Sequence, residues 1–170
     1  QCQRYKLRPR EHFSGFPVEE RADRLRQQAD CGHRESSATS GLVAYFNGEP
    51  VGWCAVEPRT NYPGLMRNSR VPWEGRDEDK ADDGVWAVTC FVTRPGFRRR
   101  GIGRALAGAA VDFAHARGAN AVEGYPMTTK TVILEELHVG TEGMFTEAGF
   151  IEVSRPTSRR AVMRLDLRHR

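Results

Sequence analysis

The chain has 170 residues, 39% of them hydrophobic and 28% charged, which is enough apolar material for one compact domain and too short for two typical ones. Lys and Arg exceed Asp and Glu by 26 to 22, but Lys6, Lys80 and Lys130 are the only lysines, and so strong an Arg bias reads as background composition rather than a nucleic-acid footprint. No apolar run approaches the roughly 20 residues of a membrane span, residues 1–10 lack a signal-peptide core, and Cys2, Cys31, Cys54 and Cys90 have no metal-ligand spacing. The expectations are therefore a cytoplasmic protein with reduced, mostly buried thiols, no metal, no membrane and no nucleic-acid partner.

In chain order, Val18 to Ala29 is highly charged, with Val18, Ala22, Leu25 and Ala29 at helical spacing, which predicts a surface helix capped by Gly32. Gly41–Phe46 and Val51–Val56 flank Asn47-Gly48, a strong hairpin signal. Residues 58–84 break pattern with Pro58, Pro63, Pro72 and the acids Glu74, Asp77, Glu78, Asp79, Asp82 and Asp83, and read as a long insert that is either functional or contains a short helix. Trp86–Thr93 is rich in β-branched and aromatic residues and predicts a buried strand. Ile102 to Arg117 follows as a helix with Ile102, Leu106, Ala109, Phe113 and Ala116 on one face, closed by Gly118. Asn120–Tyr125 is a strand, Thr141–Ala148 a helix stopped by Gly149, and Phe150–Val153 and Ala161–Leu167 are closing strands. Strand-helix-strand in the middle requires a parallel pair and the hairpin requires antiparallel neighbours, so the fold class is α/β (α+β) with a mixed sheet flanked by helices, in one domain over 1–170.

The segment between the Trp86–Thr93 strand and the next helix is Pro95-Gly96-Phe97-Arg98-Arg99-Arg100-Gly101-Ile102-Gly103-Arg104. A helix start carries unpaired N–H groups and the positive end of its dipole. Two glycines let an anion approach those amides, and four arginines stand beside them without a carboxylate, so the segment suits a phosphate or pyrophosphate. It is not a nucleoside-triphosphate loop, because no Lys-Ser/Thr follows the second glycine. It is not a dinucleotide fingerprint either, because Leu106 stands where a third glycine or alanine belongs.

Arg98-x-x-Gly101-x-Gly103, following a strand and opening an Ala/Leu-rich helix, resembles the acetyl-CoA pyrophosphate motif of the GNAT N-acetyltransferase superfamily. Met144-Phe145-Thr146-Glu147-Ala148-Gly149-Phe150 is similar to that superfamily's helix ending in Gly-Phe. The resemblance covers about three quarters of the chain and implies acetyl-CoA as cosubstrate. The central parallel pair would splay, pantetheine would pair with backbone near Phe91, Val92 and Thr93, and Arg98, Arg99, Arg100, Gly101, Ile102, Gly103 and Arg104 would hold the pyrophosphate. The amide near Val92 would serve the oxyanion. The superfamily often dimerises through its C-terminal strands, so a homodimer is a further expectation.

The resemblance also exposes departures. Phe145, expected beside the cofactor, stands where the superfamily commonly has a Tyr that protonates the departing thiolate, and the strand before the pyrophosphate loop, Trp86-Ala87-Val88-Thr89, lacks the Glu some members carry. Glu123 and Tyr125 share a strand face and are the first candidates for proton transfer. Glu57, at the end of the hairpin, and His138, near where the superfamily often has an Asn, are further ones. The acceptor site is expected across the sheet from the CoA entrance, lined by the insert, with Glu57, Tyr62 and Trp73 contacting substrate and the acidic run attracting a cationic amine. The expected activity is acetyl transfer to a primary amine of a small molecule or peptide. The alternatives are an acyl-CoA-binding domain without turnover and a nucleic-acid binder, the latter lacking interleaved aromatics.

Overall fold

The computed structural model describes residues 4–12, 15–30, 32–33, 39–128 and 136–167; Cys2 and Cys31 lie outside them. Its elements are α1 (Val18–Gln28), β1 (Gly41–Phe46), β2 (Glu49–Pro58), α2 (Pro63–Arg67), β3 (Val85–Thr93), α3 (Ile102–His115), β4 (Ala121–Gly124), α4 (Glu142–Glu147), β5 (Ile151–Thr157) and β6 (Arg160–Asp166). The strands form one six-stranded sheet in the order β1-β2-β3-β4-β6-β5. Only the β3–β4 pair is parallel, as the strand-helix-strand pattern requires.

Local chemistry accounts for the boundaries. Asn47 and Gly48 both adopt positive φ, 51° and 79°, the backbone of a tight hairpin turn whose twist matches the flanking strands. Gly118 (φ 79°) and Gly149 (φ 92°) terminate α3 and α4, and the Phe150 amide returns to the Phe145 carbonyl at 3.0 Å, a glycine-based helix stop. The hydroxyl of Thr141 accepts from the Met144 amide and caps α4. At α1 the expectation shifts: the left-handed residue after the helix is Asp30 (φ 46°) rather than Gly32, since the helix ends at Gln28, well short of the glycine.

A second correction concerns α3. Leu106, Ala107, Ala110, Val111 and Ala114 are buried, whereas Ala109 and Ala116 are exposed. An alanine-rich helix offers two apolar rows that sequence spacing ranks alike, and contact with the sheet selects one. Gly52 on β2 permits the close approach, since a Cβ there would come within 2.7 Å of the Ile102 side chain.

The sheet carries a core on each face. Toward α3 and α4 lie Cys54, Val56, Trp86, Val88, Phe91 and Phe145; on the opposite face Tyr62, Leu65, Val71, Ala87, Tyr125 and Val162 pack together. Val88 and Phe91 share a face although they are three residues apart. The β2–β3 register explains this: Val56 pairs with Val88 and Ala55 with Cys90, so Thr89 is an extra residue in a β-bulge. A bulge re-aims the strand beyond it, and here it does so where β3 leaves β4.

Candidate active site

Pairing between β3 and β4 runs from Val85–Ala121 to Val88–Gly124 and stops, while β3 continues to Thr93. The resulting splay opens a groove of about 490 Å³ lined by Phe91, Val92, Thr93, Arg98, Arg99, Gly103, Leu137, His138, Thr141 and Met144. It runs into a smaller recess of about 160 Å³ bounded by Phe97, Gly101, Ile102 and Arg104. Thr93, Arg99, Gly103 and Met144 line both, so strand edge and helix start form one continuous surface.

The recess ends on the N-terminus of α3. Gly101, the residue before the helix, has φ 79° and its carbonyl accepts the first helical bond from the Ala105 amide at 3.0 Å. The amides of Ile102, Gly103 and Arg104 precede that bond and have no partner within the helix. Arg99 is also left-handed, with φ 59°, which curls the loop back over the recess. Not all the arginines serve the groove. Arg98 donates to the Thr93 carbonyl at 3.4 Å and Arg104 pairs with Glu147 at 3.0 Å. Arg100 instead lies over Phe97, 5.5 Å from its centroid, and lines neither cavity.

Phe145 departs from its expected place against the cofactor. It is fully buried, edge-on to Phe91 at 5.9 Å and to Phe150 at 5.1 Å, and its ring covers Gly124 and Gly140 so closely that a Cβ at Gly124 would overlap it. Met144 faces the groove in its stead. A phenyl ring with no hydroxyl to satisfy is driven inward, where a Tyr would have to find a partner.

Glu123 and Tyr125 are brought together, but in a cage. Glu123 is fully buried; its carboxylate accepts from Arg59 at 3.2 Å, Arg76 at 2.5 Å, Arg164 at 3.0 Å and the Tyr125 hydroxyl at 3.0 Å. Glu78 from the insert bridges the same three guanidiniums. Burial alone would raise the Glu123 pKa, but the hydrogen bond and charge of Arg76, with the charges of Arg59 and Arg164, outweigh it and hold the carboxyl below its ordinary range. Burial first, then the neighbouring Glu123, pushes the Tyr125 phenol well up. A carboxylate so stabilised is a poor base, and Tyr125 has its proton committed to Glu123, so the geometry gives this pair a structural task.

The insert is folded rather than open. Trp73 is buried, donates its indole N–H to the Leu65 carbonyl at 3.0 Å, and lies beneath Arg59 and Lys80; these contacts make it an anchor of the insert. Of the acids, Glu78 joins the cage, Glu74 pairs with Arg70, and Asp79 and Asp82 accept from backbone amides of Ala81 and Gly84. Four of the six acids thus help hold the insert together, while Asp77 and Asp83 are exposed.

Glu57 and Tyr62 remain close to one another on that face. Glu57 is 4% exposed and pairs with Lys6; burial raises its pKa, against the opposing pull of Lys6. Burial and Glu57 together push the Tyr62 phenol well up. Lys6, and the arginines of the cage, went unnoticed in the sequence. A usable signal was present for the cage, because a Glu inside the apolar run Ala121–Tyr125 requires cations, and Arg164 stands opposite Glu123 in the β4–β6 register.

Comparison with known proteins agrees with this architecture. The sequence pattern of the acetyltransferase (GNAT) family matches residues 4–126, and the chain belongs to that family. Among solved structures, it is similar to a GNAT-family protein from Desulfovibrio desulfuricans, with 15% identity, TM-score 0.51, and 91% of this chain and 85% of that one covered. It is also similar to a protein from Pyrococcus horikoshii OT3, with 18% identity, TM-score 0.50, and coverage of 86% and 72%. No curated protein sequence matches the chain. Among the described residues there is no group of three or more His, Cys, Asp or Glu side chains able to hold a metal ion, and no helix is long and apolar enough to cross a membrane.

Proposed function

We propose that the chain transfers the acetyl group of acetyl-CoA to a primary amine of a small molecule or peptide by direct attack on the thioester. The observation that carries this reading is the continuity of the open β3 edge at Phe91–Thr93 with the unpartnered amides of Ile102, Gly103 and Arg104. Pantetheine lies along that edge as a surrogate strand, and the pyrophosphate sits on the helix start with Arg98 and Arg99 beside it. The Val92 amide, in register with Trp53 two residues before the Arg94–Val51 bond, points into β2, so the edge amides of Phe91 and Thr93 are the ones that stabilise the charge developing on the thioester carbonyl as the amine attacks.

Acyl transfer also moves two protons, one off the attacking ammonium and one onto the departing thiolate. Phe145 offers none, and Glu123 is locked as an ion. His138 lines the groove beside Phe91 and Val92, and an imidazole can carry a proton on a ring nitrogen and hand it on. It supplies the proton to the thiolate, while the ammonium loses its proton to solvent.

Two measurements test this. Acetyl-CoA at about 100 times its Kd should stabilise the fold by about 2.7 kcal/mol; no thermal shift at millimolar acetyl-CoA rejects the reading. Thiol release with a panel of primary amines should then show turnover, with His138→Ala lowering kcat by about 10²-fold and leaving the acetyl-CoA Kd unchanged. Binding without thiol release from any amine would instead favour an acyl-CoA-binding domain, the reading that the buried Phe145 supports.

A further inference from the structure

On the sheet face opposite the groove, a small cavity of about 10 Å³, room for a single water, is lined by Tyr5, Lys6, Gln28, Ser40, Tyr62 and Thr89 among others. Outside it lies an open polar basin of about 630 Å³ that includes Arg8, Glu11, Arg24 and Asn61. Lys6 and Gln28 line both, so the Lys6 side chain stands between basin and cavity. Its ammonium is paired with the buried Glu57 carboxylate and lies 4.6 Å over the centre of the Tyr62 ring.

The walls are polar beyond what Lys6 uses. Ser40 Oγ is buried and makes no hydrogen bond, and the buried hydroxyls of Tyr62 and of Thr89, the bulge residue, lie side by side next to it. Buried polar groups left unmatched are costly, and an ammonium ion carries three donors, of which one carboxylate and one aromatic face occupy only part. The walls belong to the sheet framework: Glu57 is on β2, Thr89 on β3, Ser40 precedes β1 and Tyr62 precedes α2. Lys6 arrives from the segment before α1 together with Tyr5, whose hydroxyl accepts from Arg160 at 3.1 Å.

We infer that Glu57, the Tyr62 ring and the hydroxyls of Ser40 and Thr89 form a binding site for a primary alkylammonium, and that Lys6 is its built-in occupant, which an incoming ligand displaces through the basin. The site is an acceptor subsite if the acetyltransferase reading holds, and it rests on that reading only for its purpose. A tethered side chain competes at a high effective concentration, so the free site is masked until Lys6 is removed or displaced.

Calorimetric titration of n-propylammonium chloride, in the absence of acetyl-CoA, tests the site separately from the transferase reading, which the acetyl-CoA shift decides. Lys6→Ala should bind n-propylammonium at least tenfold more tightly than the wild type, Glu57→Gln in the Lys6→Ala background should abolish the gain, and neutral 1-butanol should show none. Equal binding to wild type and Lys6→Ala, retention of the gain without the carboxylate, or equal binding of 1-butanol would each overturn the inference. If Lys6→Ala does not fold, Lys6→Gln, which keeps an N–H donor for Glu57 but no charge, takes its place with the same outcomes.

Discussion

Glu123 is an instance of one side chain whose role is decided by its neighbours. A carboxylate inside an apolar strand is a natural candidate base, but three guanidiniums and a phenol satisfy it and favour its charged form. Removing one member of such a buried set leaves the others uncompensated, so Glu123→Gln should lose about 3 kcal/mol or more of stability, read as a lower midpoint in denaturant. The pH dependence has a defined sign. Because the folded pKa lies below the ordinary 4.5, the stabilisation is present above that value and is lost as pH falls through the folded one. Acid titration of stability should therefore be shallower for Glu123→Gln than for the wild type. Cys54 behaves as the sequence suggests for a packed thiol: burial pushes its pKa up to about 12, and it should resist iodoacetamide in native protein and react once unfolded.

Among elements, the loop before α3 matters most. Gly101 and Gly96 both have positive φ, 79° and 84°, and neither has a neighbour that a methyl group would strike. An alanine at either position therefore costs mainly backbone strain, about 1–2 kcal/mol. Their effects on ligand should differ, since Gly101 aims the amides of Ile102, Gly103 and Arg104 and Gly96 does not line the recess. Acetyl-CoA titrations should show at least a tenfold weaker Kd for Gly101→Ala and little change for Gly96→Ala; equal Kd values for the two would remove the helix start from the binding site. The loop was legible in sequence because glycines, arginines and a helix start are contiguous. The insert was not, since its anchors, Trp73 under Arg59 and Glu78 across to Arg164, are contacts between residues far apart in the chain.

For the molecule as a whole, the sheet separates two chemistries. One face with α3 and α4 opens the groove where β3 parts from β4, and the other, sealed by α2, the insert and Tyr5–Lys6, holds the charged cage and the ammonium pair. Hydrogen exchange with saturating CoA should slow at the amides of Phe91, Thr93 and residues 102–104 while β5, exposed along most of its length, stays unchanged. Protection spread evenly over the chain would mean general stabilisation rather than a bound strand-like ligand.

The sequence by itself determined the element order, the hairpin, the mixed sheet and the anion-suited helix start, because each depends on residues adjacent in the chain: Asn47-Gly48, the β-branched run of β3, and Gly101-x-Gly103. Only the tertiary structure decided which side chains face the groove. Phe145 turns into the core, Glu123 meets arginines 47 and 64 residues away by sequence, and Lys6 reaches Glu57 across 51 residues. Such pairings depend on strand order and on the bulge at Thr89, and spacing along the chain encodes neither.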